Sequence, residues 1–452
     1  MSAFGGNSTS QLEAVVNLKS RVVTNGGVIS AELTFESFED AGVGIMATKD
    51  IKMGSILMEV PFKDCLSVEK IVQCEALSRI FSEQQGLEEF PDEILAIGLM
   101  YGATKKEECA WYDHIKTLPT ADQMNSTTFW NEEQLNRLQG GPSIYHLTSM
   151  MNKQCEADWN AVHKALSEVY PDILGEITKD LYKWALSMVY SRAVGMPRKG
   201  AYTRAIPPII DLANHDPTIA SETAETFNYD EKSEMLQFIS ASDINSGDQC
   251  CAVYGPYPNA KLAYTYGFVM HNNRHQAVDL WTRVSPNSTH GAHKQQILQS
   301  HPLTSNQTYD FEGTLRPNFI SPALLATIRI INANESELQS NDITNAFQGK
   351  MVSARNEGAT YVSLRSLLVS RLSPEQYETD RKRLGELLMD GASQANREVM
   401  ALIIQTEERD LVKSCIVMVD EMVAKLELLG DSYIPIDSQR DSPSCSFSNE
   451  LD

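Results

Sequence analysis

A chain of 452 residues is longer than one hydrophobic core usually serves, so two domains, or one domain with a large insertion, are expected. Its 60 acidic against 38 basic side chains leave a formal charge of -22, which excludes the clustered Lys and Arg of a nucleic-acid surface. The same acidic field suits a basic protein segment as partner, or solubility alone.

The N-terminal segment, residues 1–28, opens rich in Ser and Gly. It lacks a signal-peptide core, and Glu13 together with the absence of Arg before Arg21 weighs against an organelle transit peptide. From about Ile29 to Pro61 the pattern is short strands and turns: Gly42-Val43-Gly44 allows a tight backbone, and Ser55-Ile56-Leu57-Met58-Glu59-Val60-Pro61 is a β-rich run stopped by proline. From Val68 the period changes. Ile94, Leu95, Ile97, Gly98, Leu99 and Met100 fit a helix, as do Leu181, Trp184, Ala185, Met188 and Val189 between Asp180 and Val194.

The run Ala205-Ile206-Pro207-Pro208-Ile209-Ile210-Asp211-Leu212-Ala213-Asn214-His215 is apolar almost to its end and then presents an acid, an amide and an imidazole. It reads as a buried strand delivering polar groups to a site. Strand character returns at Glu234 to Ile239 and, after a turn at Asn245-Ser246-Gly247-Asp248, at Gln249 to Tyr254. After about Pro302 the chain reads as mostly helical, with Ser321 capping and Pro322 opening one helix. The tail from about Asp437, rich in Ser, Asp and Asn, reads as disordered.

No stretch reaches about 18 uninterrupted apolar residues, so no membrane span is expected. Eight cysteines (Cys65, Cys74, Cys109, Cys155, Cys250, Cys251, Cys415, Cys445) are scattered, with no C-x-x-C pair and no His at zinc-finger spacing. They read as reduced thiols of an intracellular protein without bound metal. A soluble cytoplasmic monomer is expected, with nucleus and plastid as alternatives.

Three segments taken together, Ala41-Gly42-Val43-Gly44-Ile45, Asp211 to His215, and Val253-Tyr254-Gly255 followed by Tyr264-Thr265-Tyr266-Gly267-Phe268, resemble the SET-domain protein methyltransferases. The order of elements resembles the subfamily of Rubisco large-subunit methyltransferase and actin-histidine methyltransferase. Trp111-Tyr112-Asp113-His114-Ile115-Lys116-Thr117-Leu118-Pro119 resembles a recurring segment of that subfamily's helical insertion. The resemblance implies an α+β chain: a SET β-fold over 29–285 with a helical insertion at about 68–190, then a mostly α-helical substrate-binding domain over 286–436, with 437–452 as the tail.

It also implies a chemistry. S-adenosyl-L-methionine would be the cofactor and a protein side chain the acceptor, approached in line with the methyl and carrying a neutral lone pair. A lysine amine has an ordinary pKa of about 10.4, so the site must favour its neutral form by desolvation, a neighbouring sulfonium or hydrogen bonds.

Tyr254 takes the family's orienting role at methyl transfer, and a phenol suits hydrogen bonding better than proton abstraction at neutral pH. Cofactor contacts fall on Gly42, Gly44, Ser55, Ile56, Leu57, Asn214, His215 and Phe268, and substrate contacts on Arg192, Asp211 and Tyr266. At Ser55 the chain departs from the family, which commonly carries a glutamate there.

Read without the family, each residue has a plainer meaning. Tyr254 would be a core tyrosine at a strand end, Gly42-Val43-Gly44 a hairpin turn, and Arg192 a helix-end arginine answering the macrodipole. Asp211 and His215 lie four residues apart, as in a metal pair or a catalytic dyad, but no third ligand stands at suitable spacing. A lysine acceptor is expected, because Ile210, Ala193 and Val194 bring no group to orient an imidazole. A histidine acceptor and a catalytically silent protein-binding scaffold are the alternatives.

Overall fold

The computed structural model describes residues 8–83, 87–170, 177–216, 218, 226–304 and 310–435; the expected disordered tail lies outside them. The chain divides into two compact units. The first contains residues 1–129, 149–257 and 264–267, and the second 130–148, 258–263 and 268–452. Packing therefore assigns residues 130–148 of the expected insertion, and the chain from 268 onward, to the second unit.

In the first unit the N-terminal segment is helical over Ser8–Thr24. Val15, Leu18 and Val22 recur at helical spacing and are buried against Ile45, Leu57, Leu212 and Ala213. Strands Leu33–Phe38 and Gly42–Ala47 form an antiparallel hairpin with Phe38 opposite Gly42. A four-stranded antiparallel sheet runs Val28–Ile29, Ile56–Pro61, Met235–Ile239, Phe227–Asp230, with a register shift between Ile56 and Met58. Leu66–Ser67, Ala201–Ile206 and Val194–Arg198 make a third small sheet.

Between Ser67 and Val194 the unit is helical. The Pro91–Lys105 helix is apolar nearly all round, which fits its burial on every side by the Lys179–Arg192 helix and its neighbours. Thr178 caps the latter helix by accepting the Leu181 N–H at 3.1 Å.

The second unit packs the helices Pro322–Asn332, Ala354–Val369, Pro374–Met389 and Arg397–Leu429 with a three-stranded sheet. In that sheet Val278–Arg283, the last strand of the expected β-rich region, pairs with Asp310–Arg316, which pairs in turn with Phe319–Ile320; these last two are short strands within the stretch expected to be mostly helical. Ser321 caps its helix as read from sequence. Arg329 and Glu357 form a bidentate ion pair at 2.7 and 2.8 Å with both side chains fully buried. Among the described residues no helix is long and apolar enough to cross a membrane.

Candidate active site

The strand expected through residues 205–215 stops at Ile206. Pro207 and Pro208 follow, and neither can donate to a ladder. Ile209 then adopts φ 70° with its side chain fully buried, a left-handed conformation that a β-branched residue holds only under constraint from its surroundings. A single 3-10 turn, Ile210–Leu212, brings Asp211 round, so the polar groups leave a turn and not a strand.

Beyond the turn, residues 213–216 run beside 250–254. The Ala252 N–H donates to Asn214 O at 2.7 Å, the Asp216 N–H donates to Ala252 O at 3.1 Å, and His215 pairs with Ala252 in a parallel bridge. The other edge of the same segment is tied to the Gly42–Ala47 strand, with Cys250 N–H donating to Ile45 O at 2.9 Å. In place of a regular strand over 249–254 there are isolated bridges, antiparallel from Met46 to Gln249 and parallel from His215 to Ala252.

These ties fix Tyr254. Its N–H donates to His215 Nδ1 at 3.1 Å, so that nitrogen is the acceptor. Its hydroxyl donates to Ala213 O at 2.8 Å. The ring stacks with His215 at 4.9 Å and with Tyr266 at 4.8 Å, and Tyr257 lies 6.1 Å from Tyr266 in a further stacked pair. Gly255, at φ 152°, makes room for the Tyr257 ring, which would lie 2.6 Å from a Cβ there. Tyr266 ends a π-helical turn, Leu262–Tyr266.

By area Tyr254 is half-buried, yet its hydroxyl is deep enough that desolvation pushes the phenol up to about 12. Arg192 opposes that rise, while Cys251 and Asp211 add to it.

Asp211 has a fully buried side chain. Arg192 donates from Nη1 to the Asp211 carbonyl at 2.7 Å and lies 3.5 Å from Oδ2. His114, from the turn Tyr112–Ile115, stands closer, with Nε2 at 3.1 Å from Oδ2. Desolvation pushes the Asp211 pKa up, but His114 and then Arg192 outweigh it and hold the carboxyl below its ordinary value. Oδ1 is buried with no hydrogen-bond partner among the described residues.

On the opposite edge, Asn214 Nδ2 donates to Gln249 Oε1 at 2.9 Å and rests against the bare backbone of Gly44, where a Cβ would meet it at 2.6 Å. Gly42 opens the same strand.

The structure thus brings Gly44, Arg192, Asp211, Asn214, His215, Tyr254 and Tyr266 into one constellation. Ser55 and Ile56 are not part of its ring stack: Ser55 accepts the Ser240 N–H at the mouth of the Ile56–Pro61 strand, and Ile56 is exposed. Leu57 joins the core cluster that holds Leu212 and Ala213. Phe268 falls in the second unit, half-buried. Among the described residues no group of three His, Cys, Asp or Glu could hold a metal.

His114, Gln249 and Tyr257 were not foreseen as site residues. His114 lies inside a segment legible as a family landmark, but no spacing ties it to Asp211, 97 residues on.

A crystal structure of the SET domain of LSMT bound to MeLysine and AdoHcy superimposes with a TM-score of 0.75 at 21% identity, covering 94% of this chain and 95% of that one. The chain has the SET-domain architecture of LSMT. Rubisco LSMT bound to AdoMet matches at a TM-score of 0.74 and 21% identity over 97% of this chain and 98% of that one. The family described as Rubisco LSMT substrate-binding matches residues 285–411. Actin-histidine N-methyltransferase of Xenopus tropicalis is 24% identical over 84% of this chain and 65% of its own length. That of Mus musculus is 26% identical over 67% and 50% respectively. The chain therefore spans half to two thirds of the length of these curated relatives.

Proposed function

We propose that this chain is an S-adenosylmethionine-dependent protein N-methyltransferase that acts on a lysine side chain. The observation that carries the reading is Tyr254, stacked with the His215 and Tyr266 rings and with its hydroxyl on the Ala213 carbonyl, in the segment that also holds the Asn214 amide against the bare Gly44 backbone.

The residues present suit the cofactor. At Gly44 the missing side chain lets the Asn214 amide and the Phe38 ring close on the backbone, and Asn214 and His215 are already fixed by backbone ties to Ala252. Gly42, Gly44, Asn214 and His215 would hold it, with backbone at Ser55, Ile56 and Leu57 as further contacts implied by the family. When bound, it supplies an electrophilic methyl on a sulfonium.

The chain's own groups do the rest. With its pKa pushed to about 12, Tyr254 stays a neutral phenol near pH 7 and acts by hydrogen bonding, not as a base. The stacked rings of His215, Tyr254 and Tyr266 hold the phenol in place and exclude water around it. Asp211 stays charged through His114 and Arg192, a fixed buried anion that acts on the Tyr254 phenol electrostatically. The acidic surface favours a basic segment around the acceptor.

Lysine is favoured because Val194, just past Arg192, is apolar and packed against the core. A second reading, histidine, draws on the relatives, which are named as actin-histidine enzymes. Calorimetric titration with S-adenosylhomocysteine tests the enzyme reading: micromolar binding that is lost in Asn214→Ala supports it, and no binding would favour a silent scaffold. Hydrolysis of extract proteins labelled with radioactive cofactor then separates methyllysine, the expected product, from methylhistidine, which would overturn the lysine assignment.

A further inference from the structure

The parallel bridge between His215 and Ala252 ends one step short of Tyr254. Its two bonds run from the Ala252 N–H to Asn214 O at 2.7 Å and from the Asp216 N–H to Ala252 O at 3.1 Å. A parallel ladder continued by one bond would take the Tyr254 N–H to the Asp216 carbonyl. It goes instead to His215 Nδ1, at 3.1 Å. A side chain thus takes over where the backbone pairing stops, at the residue that carries the phenol.

We infer that the His215 imidazole is a positioning residue for Tyr254: Nδ1 replaces the ladder carbonyl and the ring stacks on the phenol, so that this side chain, and not sheet pairing, sets where the hydroxyl points. The inference rests on the methyltransferase reading above. It moves the contribution of His215 to the cofactor from its imidazole to its main chain, whose own N–H and C=O take no part in the bridge.

The geometry leaves Tyr254 dependent on that short segment. Among the described residues both of its hydrogen bonds end there, the N–H on His215 and the hydroxyl on Ala213 O at 2.8 Å. The two rings lie 4.9 Å apart and 26° from parallel, so the same imidazole bonds the main chain of Tyr254 and stacks on its side chain. An imidazolium would present a proton at Nδ1, so only the neutral ring protonated on Nε2 can accept the Tyr254 N–H.

The test uses the full chain and two variants. His215→Phe keeps a ring to stack on Tyr254 and removes the acceptor, while His215→Asn loses the ring but keeps an acceptor, Oδ1, the same number of bonds from Cα as Nδ1. The readouts are S-adenosylhomocysteine affinity by calorimetry, hydrogen exchange at the Tyr254 amide by mass spectrometry, and kcat and KM for S-adenosylmethionine with extract proteins as acceptors. In His215→Phe cofactor affinity and KM should stay within about threefold of the parent, while amide exchange rises and kcat falls by about tenfold each, the scale of one lost hydrogen bond; His215→Asn should recover most of both.

If His215→Phe loses cofactor affinity as far as it loses turnover, the inference is overturned, because the imidazole then serves the cofactor. Unchanged exchange at the Tyr254 amide overturns it as well, as does His215→Asn performing no better than His215→Phe, which would leave no role for the bond to Nδ1. A parent that binds no S-adenosylhomocysteine sinks the methyltransferase reading itself, whatever the exchange at Tyr254 shows.

Discussion

At the scale of single residues, the Tyr254 hydroxyl and the Asn214 amide are separable by experiment. Tyr254→Phe keeps the ring stacked with His215 and Tyr266 and deletes only the bond to Ala213 O, so cofactor affinity should hold within about threefold while turnover falls about a hundredfold. Equal losses of both would contradict that division. Gly44→Ala should do the reverse: its methyl meets Asn214 Nδ2 at 2.6 Å, so S-adenosylhomocysteine affinity should drop with little change in melting temperature.

Asn214, His215 and Tyr254 were legible because apolar runs that end in polar groups are conspicuous and because they match a family pattern. Their mutual geometry was not. The polar groups leave a strained turn at Ile209, where two prolines end a strand that the apolar pattern carried further. His114 was invisible as a partner of Asp211, since a single buried histidine has no periodicity to announce it.

At the scale of elements, the Arg397–Leu429 helix carries a titrating joint of its own. Glu408 is almost wholly buried, and accepts from the Ser143 N–H at 3.0 Å and the Ser143 hydroxyl at 2.5 Å. Burial pushes its pKa up to about 7, with Ser143 opposing and Asp279 adding to the rise. A folded pKa above the unfolded value means that the folded protein binds the extra proton. Stability should therefore fall as pH climbs from about 4.5 to about 7 and level off beyond, by about 3 kcal/mol in all.

Glu408→Gln, which keeps both partners for Ser143 without the charge, should flatten that segment of the urea-denaturation profile. A slope as steep as the parent's would show that another group governs it. In the same unit, Glu357→Ala removes the carboxylate paired with the fully buried Arg329 guanidinium and should cost about 3–5 kcal/mol, read from the same denaturation curves.

The helical periods of Pro91–Lys105 and Pro322–Asn332 could be read directly, since their apolar residues and proline starts are local signals. Tyr377 and Asp380 sit inside the Pro374–Met389 helix with both side chains buried. There Asp380 meets Arg409 at 2.6 Å, a tertiary pairing that outweighs local polarity.

For the whole molecule, the charge of -22 should act on encounter more than on chemistry. Methyl transfer to a lysine-rich test peptide should lose roughly tenfold in kcat/KM between low and about 0.5 M salt, mostly through KM. A salt-independent KM would remove the acidic surface from the account of substrate choice. The order of β-rich, helical, β-rich and helical regions was legible end to end. How packing divides the chain was not, because residues 130–148 join the second unit through contacts such as Ser143 with Glu408, 265 residues away.

The tie between Ile45 and Cys250 has a consequence for how the protein is made. The Gly42–Ala47 strand leaves the ribosome about 200 residues before its partner, roughly 10 to 40 s at 5–20 residues per second. Through that interval the cradle at Gly44 lacks Asn214, Gln249 and Tyr254 for most or all of the time. Nascent chains stalled before Gln249 should fail to be retained on immobilised S-adenosylhomocysteine, whereas chains that extend well past Gly267 should be held. On the proposed reading, synthesis itself thus leaves the cofactor site unassembled until the first unit is nearly complete.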